Sequence, residues 1–516
     1  MGKQRSASGG TAPCLRLDVA RNGRVETEGA PSVCLGDPDG APGDPFAAWH
    51  WDGRRLTVRC DRYGLPKVFY AVTDSAVMLS TELSRLLDMG APAAVDDDAL
   101  AVFLRLGTFL AEDTPFRAVR ALPPGARMEW TPVRAGEGLR WEQGHGPAQL
   151  HPDPRQITRG EAVDAGVELF RSAIAARLPA DDYVLPLSGG RDSRHMLLEL
   201  VRQGAPPRLT VTTGKFTSRD ADVRLAPLVA AAVGVPHTYV PRGPSELRAE
   251  LVTGRLQQHC SVEGPWMLPL CRYVRAHSGL TYDGFGGDIL WQTPFHYRRP
   301  PRDRERTRSP AGAAGWLVEQ YGLDPLLPRL IPSNRLRRWS RDRAEARIAA
   351  EFARHQGAAF PLASFLFWNR IRRAIGPHPL RLMGHGGLRV HLPYLDHDLF
   401  DLMAALPERV LADEGFHTEA IRRAYPRLAH LPFVEGPMRR GPRVAANRLL
   451  YLADLSFHAL TRERGWWRSA DGLLPKLLTG GGRPPSWRAV DTFAPFAVQL
   501  FHLEALVSDN GGRVSE

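Results

Sequence analysis

The sequence predicts an α/β protein of two units: a β-rich N-terminal unit, then a unit built on a parallel sheet with a mainly helical C-terminal part. Three observations predict it. From Cys14 to about Trp130 short apolar runs alternate with turns, among them Leu56–Cys60, Val68–Val72 and Val77–Ser80. From Tyr183 to Val240 strand-like runs alternate with helical patterns, as right-handed crossovers on a parallel sheet require. Beyond about Leu247 the helical period dominates. With 516 residues, 43% of them apolar, the chain can bury a core in more than one domain.

Residues 1–12 are polar and Gly/Ser-rich, and read as a loose tail. Asp96–Leu106 reads as a helix, with Asp96–Asp98 supplying the cap and first-turn acids. Thr131–Arg159 reads as a linker, and a helix over Arg159–Leu178 opens the second unit. Tyr183–Leu187 follows as a buried strand, then a helix from Arg194 to Arg202, a strand over Leu209–Thr213, a helix over Asp220–Val233 and a strand over Thr238–Val240. Two Arg-rich stretches come later. Arg302–Arg308 is expected to be a solvated loop, and Arg335–Arg347 a solvated helix face.

The net charge of +11 would suit nucleic acid or an acidic ligand, but only Lys3, Lys67, Lys215 and Lys476 among the 67 basic residues are lysines. That Arg excess, with many Ala, Gly and Pro, fits a coding bias better than a selected basic face. No RNA-binding or helix-turn-helix signature stands out, so nucleic acid is not expected as a partner. The five cysteines form no C-x-x-C pair and are odd in number, which points away from a disulfide scaffold or a zinc site. No apolar stretch is long enough to span a bilayer, so no membrane partner is expected and the cytoplasm is the expected location.

Between the Tyr183–Leu187 run and its helix lies Ser188-Gly189-Gly190-Arg191-Asp192-Ser193. Two glycines permit a sharp turn, exposed N–H groups at a helix start attract an anion, and two hydroxyls with one carboxylate suit a phosphate with its Mg²⁺. No Gly-Lys-Ser/Thr follows, so this is not a Walker loop. It resembles the S-G-G-x-D-S loop of the ATP pyrophosphatases. A second small-residue turn, Asp283-Gly284-Phe285-Gly286-Gly287-Asp288, also closes on a carboxylate at a strand end. Asp192 and Asp288 together would give Mg²⁺ two carboxylates, the phosphates and water filling its remaining positions.

With Val390–His397 (V-H-L-P-Y-L-D-H) and the apolar helix over Leu399–Leu406, these loops resemble the asparagine synthetase superfamily, which includes β-lactam synthetases and lasso peptide cyclases. Cys60–Tyr70, Ser80-Thr81-Glu82 and Ala121–Met128 resemble the closing part of that family's N-terminal domain. The resemblance implies a degenerate class II amidotransferase (glutaminase-type, Ntn-like) domain over 13–145. It also implies an ATP-pyrophosphatase domain over 155–516.

The resemblance implies ATP and Mg²⁺ as cofactors, with a carboxylate activated as its acyl-adenylate and then attacked by an amine. Pyrophosphate would rest on the backbone of Gly189–Ser193 beside Ser188 and Arg191. Leu187 and Thr212-Thr213-Gly214 would flank the adenosine, and Gly286 and Gly287 would line the site. Arg439 or Arg440 would supply the charge that a lysine supplies elsewhere. His391 or His195 is the candidate base, and Asp396 is expected to hold a helix start.

Several departures bear on the reaction. The chain begins Met1-Gly2-Lys3 rather than Met-Cys-Gly, and its first cysteine, Cys14, is followed by Leu15. Glutamine hydrolysis is therefore not expected. Arg389 stands where the family has a glutamate, His391 where it has an arginine, and Ile289 where it has an acidic residue. These changes point from asparagine synthesis toward a small-molecule or peptide carboxylate, such as a lasso precursor peptide delivered with its processing protease. An ammonia-using asparagine synthase-like enzyme and a nucleotide-binding pseudoenzyme or partner subunit are the alternatives.

Overall fold

The computed structural model describes residues 12–20, 22–132, 138–142, 153–215, 220–242, 246–258, 264–291, 301–331, 333–411, 415–434, 450–451, 453–455 and 506. Seven strands open the chain: β1 (Cys14–Val19), β2 (Val25–Gly29), β3 (Ser32–Gly36), β4 (Phe46–Trp51), β5 (Leu56–Cys60), β6 (Phe69–Val72) and β7 (Ala76–Ser80). Helices α1 (Leu83–Asp88) and α2 (Asp97–Leu106) follow, then β8 (Val119–Ala121), β9 (Arg127–Trp130) and β10 (Leu139–Trp141). They form two antiparallel sheets, ordered β2-β1-β7-β6-β8 and β10-β9-β5-β4-β3.

Side-chain alternation decides how the sheets stack. Leu15 and Leu17 of β1 and Val77 and Leu79 of β7 face the second sheet, meeting Trp49, Leu56, Val58 and Trp130. The opposite face of the same sheet carries Phe69, Ala71 and Met78 into a larger core shared with α2 and the C-terminal unit. Strand β7 is thus buried at every position, which its unbroken run Ala76-Val77-Met78-Leu79 reflects. Asp96 caps α2, accepting from Ala99 N at 3.0 Å.

The second unit begins with α3 (Arg159–Ala175), opened by a Thr158–Glu161 capping box. Next come β11 (Val184–Pro186), α4 (Asp192–Arg202), β12 (Leu209–Thr212), α5 (Ala221–Ala232), β13 (His237–Tyr239), α6 (Glu246–Leu256), α7 (Leu268–His277), β14 (Leu280–Tyr282) and α8 (Gly287–Trp291). Strands β11, β12 and β13 form a parallel sheet. The remainder is helical: α9 (Pro301–Arg306), α10 (Pro310–Tyr321), α11 (Leu327–Leu330), α12 (Ser333–Arg338), α13 (Arg341–Ala353) and α14 (Pro361–Phe365). Helix α14 runs on into π-helical turns over Leu366–Ile375 and His378–Met383. Strand β15 (Arg389–His391) then pairs in parallel with β14, before α15 (His397–Ala404) and α16 (Gly415–Ala424).

Three expectations are corrected. Arg302–Arg308 is not a loop: α9 covers its start, where Pro301 suits a first helical position and acids alternate with arginines. Arg335–Arg347 is two helices rather than one solvated face. Several of its arginines reach the N-terminal unit: Arg338 meets Asp97 at 2.8 Å, Arg343 meets Asp98 at 2.6 Å and Arg347 meets Asp113 at 2.9 Å. The Thr131–Arg159 linker contains β10, whose Trp141 ring meets Tyr70 at a tilt, 5.6 Å between ring centres.

The two units are also joined through Arg177, whose side chain is fully buried. It pairs with Asp44 at 2.8 Å and with Asp396 at 3.2 Å, and donates to Pro42 O. Tyr63 Oη donates to Leu395 O at 2.8 Å, and Ala111 N donates to Asn369 Oδ1 at 2.7 Å. Gly43 lies so close to Leu395 O that a Cβ there would stand 2.0 Å away, so only glycine permits this approach. Among the described residues, no helix is long and apolar enough to cross a membrane.

Candidate active site

Strand β11 is held to β12 by its ladder, and Leu187 N extends it to Val211 O at 2.8 Å. Strand β14 approaches the other edge of β11 through side chains. Thr281 Oγ1 donates to Val184 O at 2.7 Å, and Val184 N donates to Ser278 Oγ at 3.2 Å. Both Gly-rich turns therefore leave the carboxyl ends of neighbouring strands, where ligands bind in open α/β sheets.

The first turn is internally braced. Ser188 N donates to Ser193 Oγ at 3.0 Å, the two hydroxyls lie 3.0 Å apart, and Gly190 N donates to Ser188 Oγ at 3.1 Å. Gly189 N is taken by Asp222 Oδ1 at 2.9 Å. Gly189 N and Gly190 N are thus both engaged within the fold. The first-turn N–H groups of α4, beginning at Asp192 and Ser193, have no intrahelical acceptor and can meet an anion. Gly189 is small for packing: a Cβ would stand 2.7 Å from Val434 Cγ2 and 2.9 Å from Leu225 Cβ.

The second turn lies directly on Asp192. A Cβ on Gly284 would meet Asp192 Cβ at 2.7 Å, and one on Gly287 would meet both Asp192 Cγ and Oδ1 at 2.7 Å. Gly286 has φ +89°, a left-handed conformation that suits glycine. The fold thus joins the two loops that the sequence keeps far apart. Asp288 follows Gly287 in the first turn of α8 and is exposed to solvent. The carboxylate enclosed beside Asp192 is Asp283: burial pushes it up to about 6, and the charge of Asp192 adds to the rise against the Phe285 N–H bond.

Asp192 itself keeps 28% of its side-chain surface, yet its Oδ1 is fully enclosed and accepts no hydrogen bond from the described residues. Burial pushes its carboxyl up to about 7, with the Arg191 charge opposing. An enclosed carboxylate oxygen without a donor fits a bound cation, because the desolvated charge is otherwise uncompensated. Tyr394 Oη donates to the Asp192 carbonyl at 3.1 Å and holds the helix start. Among the described residues no group of three or more metal-binding side chains occurs, so a cation here would rest on two carboxylates at most and on ligand oxygens.

Thr212 Oγ1 donates to Leu187 O, and the Thr213 hydroxyl, just past β12, is buried with no hydrogen-bond partner among the described residues. Gly214 lies one residue further. Arg191 Nε donates to Thr418 Oγ1 at 2.6 Å, and its guanidinium stacks on Phe433, 5.1 Å from the ring centre. Arg439 and Arg440 lie outside the described residues.

The two candidate bases separate. His195 is fully buried behind the loop, its ring 3.9 Å from Phe170 and its Nδ1 3.2 Å from His417 Nε2. Burial depresses its basicity well below the usual imidazole range. His391 lies at the end of β15, where its carbonyl accepts from Asp283 N at 3.0 Å, while its ring faces Asp44 at 3.7 Å across the unit boundary. The structure does not bring either imidazole to Asp192. Asp396 caps α15, accepting from Asp398 N at 3.3 Å, as expected.

Sequence reasoning missed three participants. Asp222 was visible only as a first-turn acid of α5, although an acid following the second strand of such a sheet is a usable signal. Its carboxyl is raised by burial against the bond from Gly189. Asp283 opens the second motif and lies near enough to Asp192 for the two charges to interact, beside the Asp288 that is read as a cation ligand. His417, in α16, stands 3.3 Å from Asp192 and carried no local signal; burial and then the Arg191 charge push it down to about 3.

In the N-terminal unit, Cys14 is buried at the head of β1, opposite Ser80. Its nitrogen is in a peptide bond to Pro13, whose carbonyl accepts from Thr81 N and Ser80 Oγ, each at 3.2 Å. The thiol accepts from Arg85 Nε at 3.4 Å.

The glutamine amidotransferase domain model matches residues 44–137 and starts beyond Cys14. No curated protein shows significant similarity. Among solved structures, the glutamine phosphoribosylpyrophosphate amidotransferase of B. subtilis, complexed with ADP and GMP, shares 13% identity over 39% of this chain, with a TM-score of 0.13. The chain covers 34% of that protein's length, and a likeness so partial assigns neither fold nor ligand. The asparagine synthase model matches residues 166–444, more than half of the chain and both Gly-rich turns: the protein belongs to the asparagine synthase family.

Proposed function

We propose that this protein is an ATP-dependent, AMP-forming amide ligase that activates a carboxylate and couples it to an amine without hydrolysing glutamine. The observation that carries the reading is the contact of Gly284 and Gly287 with Asp192, which joins two loops from separate strands around one enclosed carboxylate oxygen. Family membership supports ATP-dependent amide-bond or amidotransferase chemistry. The replaced residues Arg389, His391 and Ile289 favour a natural-product or peptide substrate, a lasso precursor among them, over aspartate.

Mg²⁺ brought with ATP would neutralise charge on the phosphates, and Asp192 with Asp288 are the residues that would hold it. The chain's own groups then have distinct tasks. Ser188, Ser193 and the first-turn N–H groups of α4 hold the departing pyrophosphate. Leu187, Thr212 and Thr213 flank the adenosine, and Arg191 adds fixed positive charge, as would Arg439 or Arg440. A carboxylate oxygen of the substrate attacks the α-phosphorus, and the bond from that phosphorus to the bridging oxygen breaks. The amine nitrogen then attacks the acyl carbon and gives up a proton, and AMP leaves. His391 is the better-placed of the two imidazoles to accept that proton, since His195 is enclosed by aromatic rings.

The placement of Cys14 supports the glutamine-independent part of the reading. A terminal-cysteine glutaminase uses the free amine of that cysteine, whereas here it is bonded to Pro13 and folded into the sheet. Incubation with ATP, Mg²⁺ and candidate carboxylates should release AMP and pyrophosphate, with hydroxylamine trapping the activated acyl group as its hydroxamate. ADP and phosphate as products would overturn the reading. Glutamate release from glutamine, lost in Cys14→Ala, would overturn the glutamine-independent part alone.

A further inference from the structure

A surface cavity of about 430 Å³ lies between the end of α9, the turn before α14 and the segment after α15. Its volume is in the range of small-ligand sites. Among the described residues, Arg304, Arg308 and Arg409 line it with one acid, Glu408, and Phe360, Pro361 and Leu362 give it an apolar floor. The charges are weakly committed. Arg308 pairs with Glu305 at 2.6 Å on the exposed surface, and Arg304 is 3.7 Å from Glu408. Arg409 donates to the amide oxygen of Gln156 at 3.4 Å and has no carboxylate partner among the described residues. Exposed pairs contribute little, so an incoming carboxylate can displace them.

The cavity also has a neighbour. Phe360 is shared with a smaller apolar cavity of about 40 Å³, whose lining includes Ile289 and Leu290, the two residues after Asp288. Phe360 thus borders both cavities, the smaller of which is lined in part by α8, the helix that the second active-site loop opens.

We propose that this cavity docks an acidic segment of a peptide substrate. Its carboxylates would lie on Arg304, Arg308 and Arg409, and an adjoining apolar residue on Phe360 and Leu362. Guanidinium forks suit carboxylates, and an apolar floor behind them suits a peptide better than a bare inorganic anion. The proposal rests on the ligase reading only for calling the peptide a substrate, and the docking itself needs no ATP.

The test is fluorescence anisotropy on the full chain without nucleotide. The probes are a labelled hexapeptide of alternating glutamate and phenylalanine, and the same peptide with lysine for glutamate. The acidic peptide should bind, weaken as salt rises, and bind at least about ten-fold more weakly to Arg304→Glu/Arg409→Glu, while the basic peptide does not bind. Both arginines are exposed, so the variant should keep the wild-type melting temperature; Arg409→Ala alone, with a smaller loss, serves if it does not. Equal binding to wild type and variant, binding of the basic peptide, or displacement by inorganic phosphate as effective as by unlabelled peptide would each overturn the proposal. A wild type that binds the peptide but turns ATP over to ADP and phosphate would refute the ligase reading and leave the docking site standing.

Discussion

His417 Nδ1 stands 3.3 Å from Asp192 Oδ1, and neither atom makes a hydrogen bond to any described residue. Both side chains are held toward the states that carry no charge: burial raises the carboxyl to about 7 and lowers the imidazole to about 3. A buried carboxylate beside a neutral imidazole is a site waiting for positive charge from a ligand.

Asp192→Asn tests this by stability and by turnover. The folded carboxyl titrates at about 7, against the ordinary 3.8, so the folded state binds its proton more tightly than the unfolded chain does. Its ionisation therefore removes stability as pH rises from about 4 to 7. At pH 8 without cation, Asp192→Asn should melt at or above the wild-type temperature. Mg²⁺ with ATP should raise the melting point of the wild type alone, and AMP release should vanish in the variant. A variant that melts several degrees lower at pH 8 would contradict the burial argument.

Gly287→Ala should disable the site with little loss of fold. Its new Cβ would stand 2.7 Å from Asp192 Cγ and Oδ1, so loop or carboxylate must shift. A displacement of that size costs on the order of 10²-fold in rate. Gly189→Ala presses instead on Val434 and Leu225, where overpacking costs about 1–3 kcal/mol, read by urea melts. Comparable losses of stability in both variants would show that the second turn is a packing element rather than part of the site.

Arg177→Ala should loosen the junction of the two units. It leaves the largely enclosed Asp44 and Asp396 without their shared cation, and breaking a buried pair costs up to about 3–5 kcal/mol. Hydrogen exchange should rise first at Gly43–Asp44 and at Leu395–Asp396. Unchanged exchange at those amides would mean that Tyr63 and Asn369 hold the junction without it.

Acid should act on Glu351. Burial alone would raise its carboxyl, but the hydrogen bond to His355 and the charges of Arg354 and Arg347 outweigh it, and it falls from 4.5 to about 2. A depressed carboxyl contributes stability that is complete above the unfolded value and is lost as pH falls through the folded one. The loss therefore runs between about pH 5 and pH 2 and amounts to on the order of 3 kcal/mol. Glu351→Gln should flatten that part of the stability curve, and an unchanged curve would mean other carboxylates govern it.

By itself the sequence determined the parts whose causes are local. Apolar runs and glycine turns marked β5, β7, β11 and β12 to within a residue or two, and acids marked the start of α2. Both Gly-rich motifs were legible too, because the chemistry of a strand end and a helix start is written in adjacent residues. The tertiary structure alone decided what those motifs meet: Asp222 on Gly189, Gly287 on Asp192, His417 beside Asp192, and Arg338, Arg343 and Arg347 on acids of the other unit. These pairs are far apart in sequence, and no residue type announces its partner when burial and crossover geometry set the distance. The arginines looked like a solvated face because charge patterning reports a residue's composition, while packing of whole units decides whether its charge faces water or an acid.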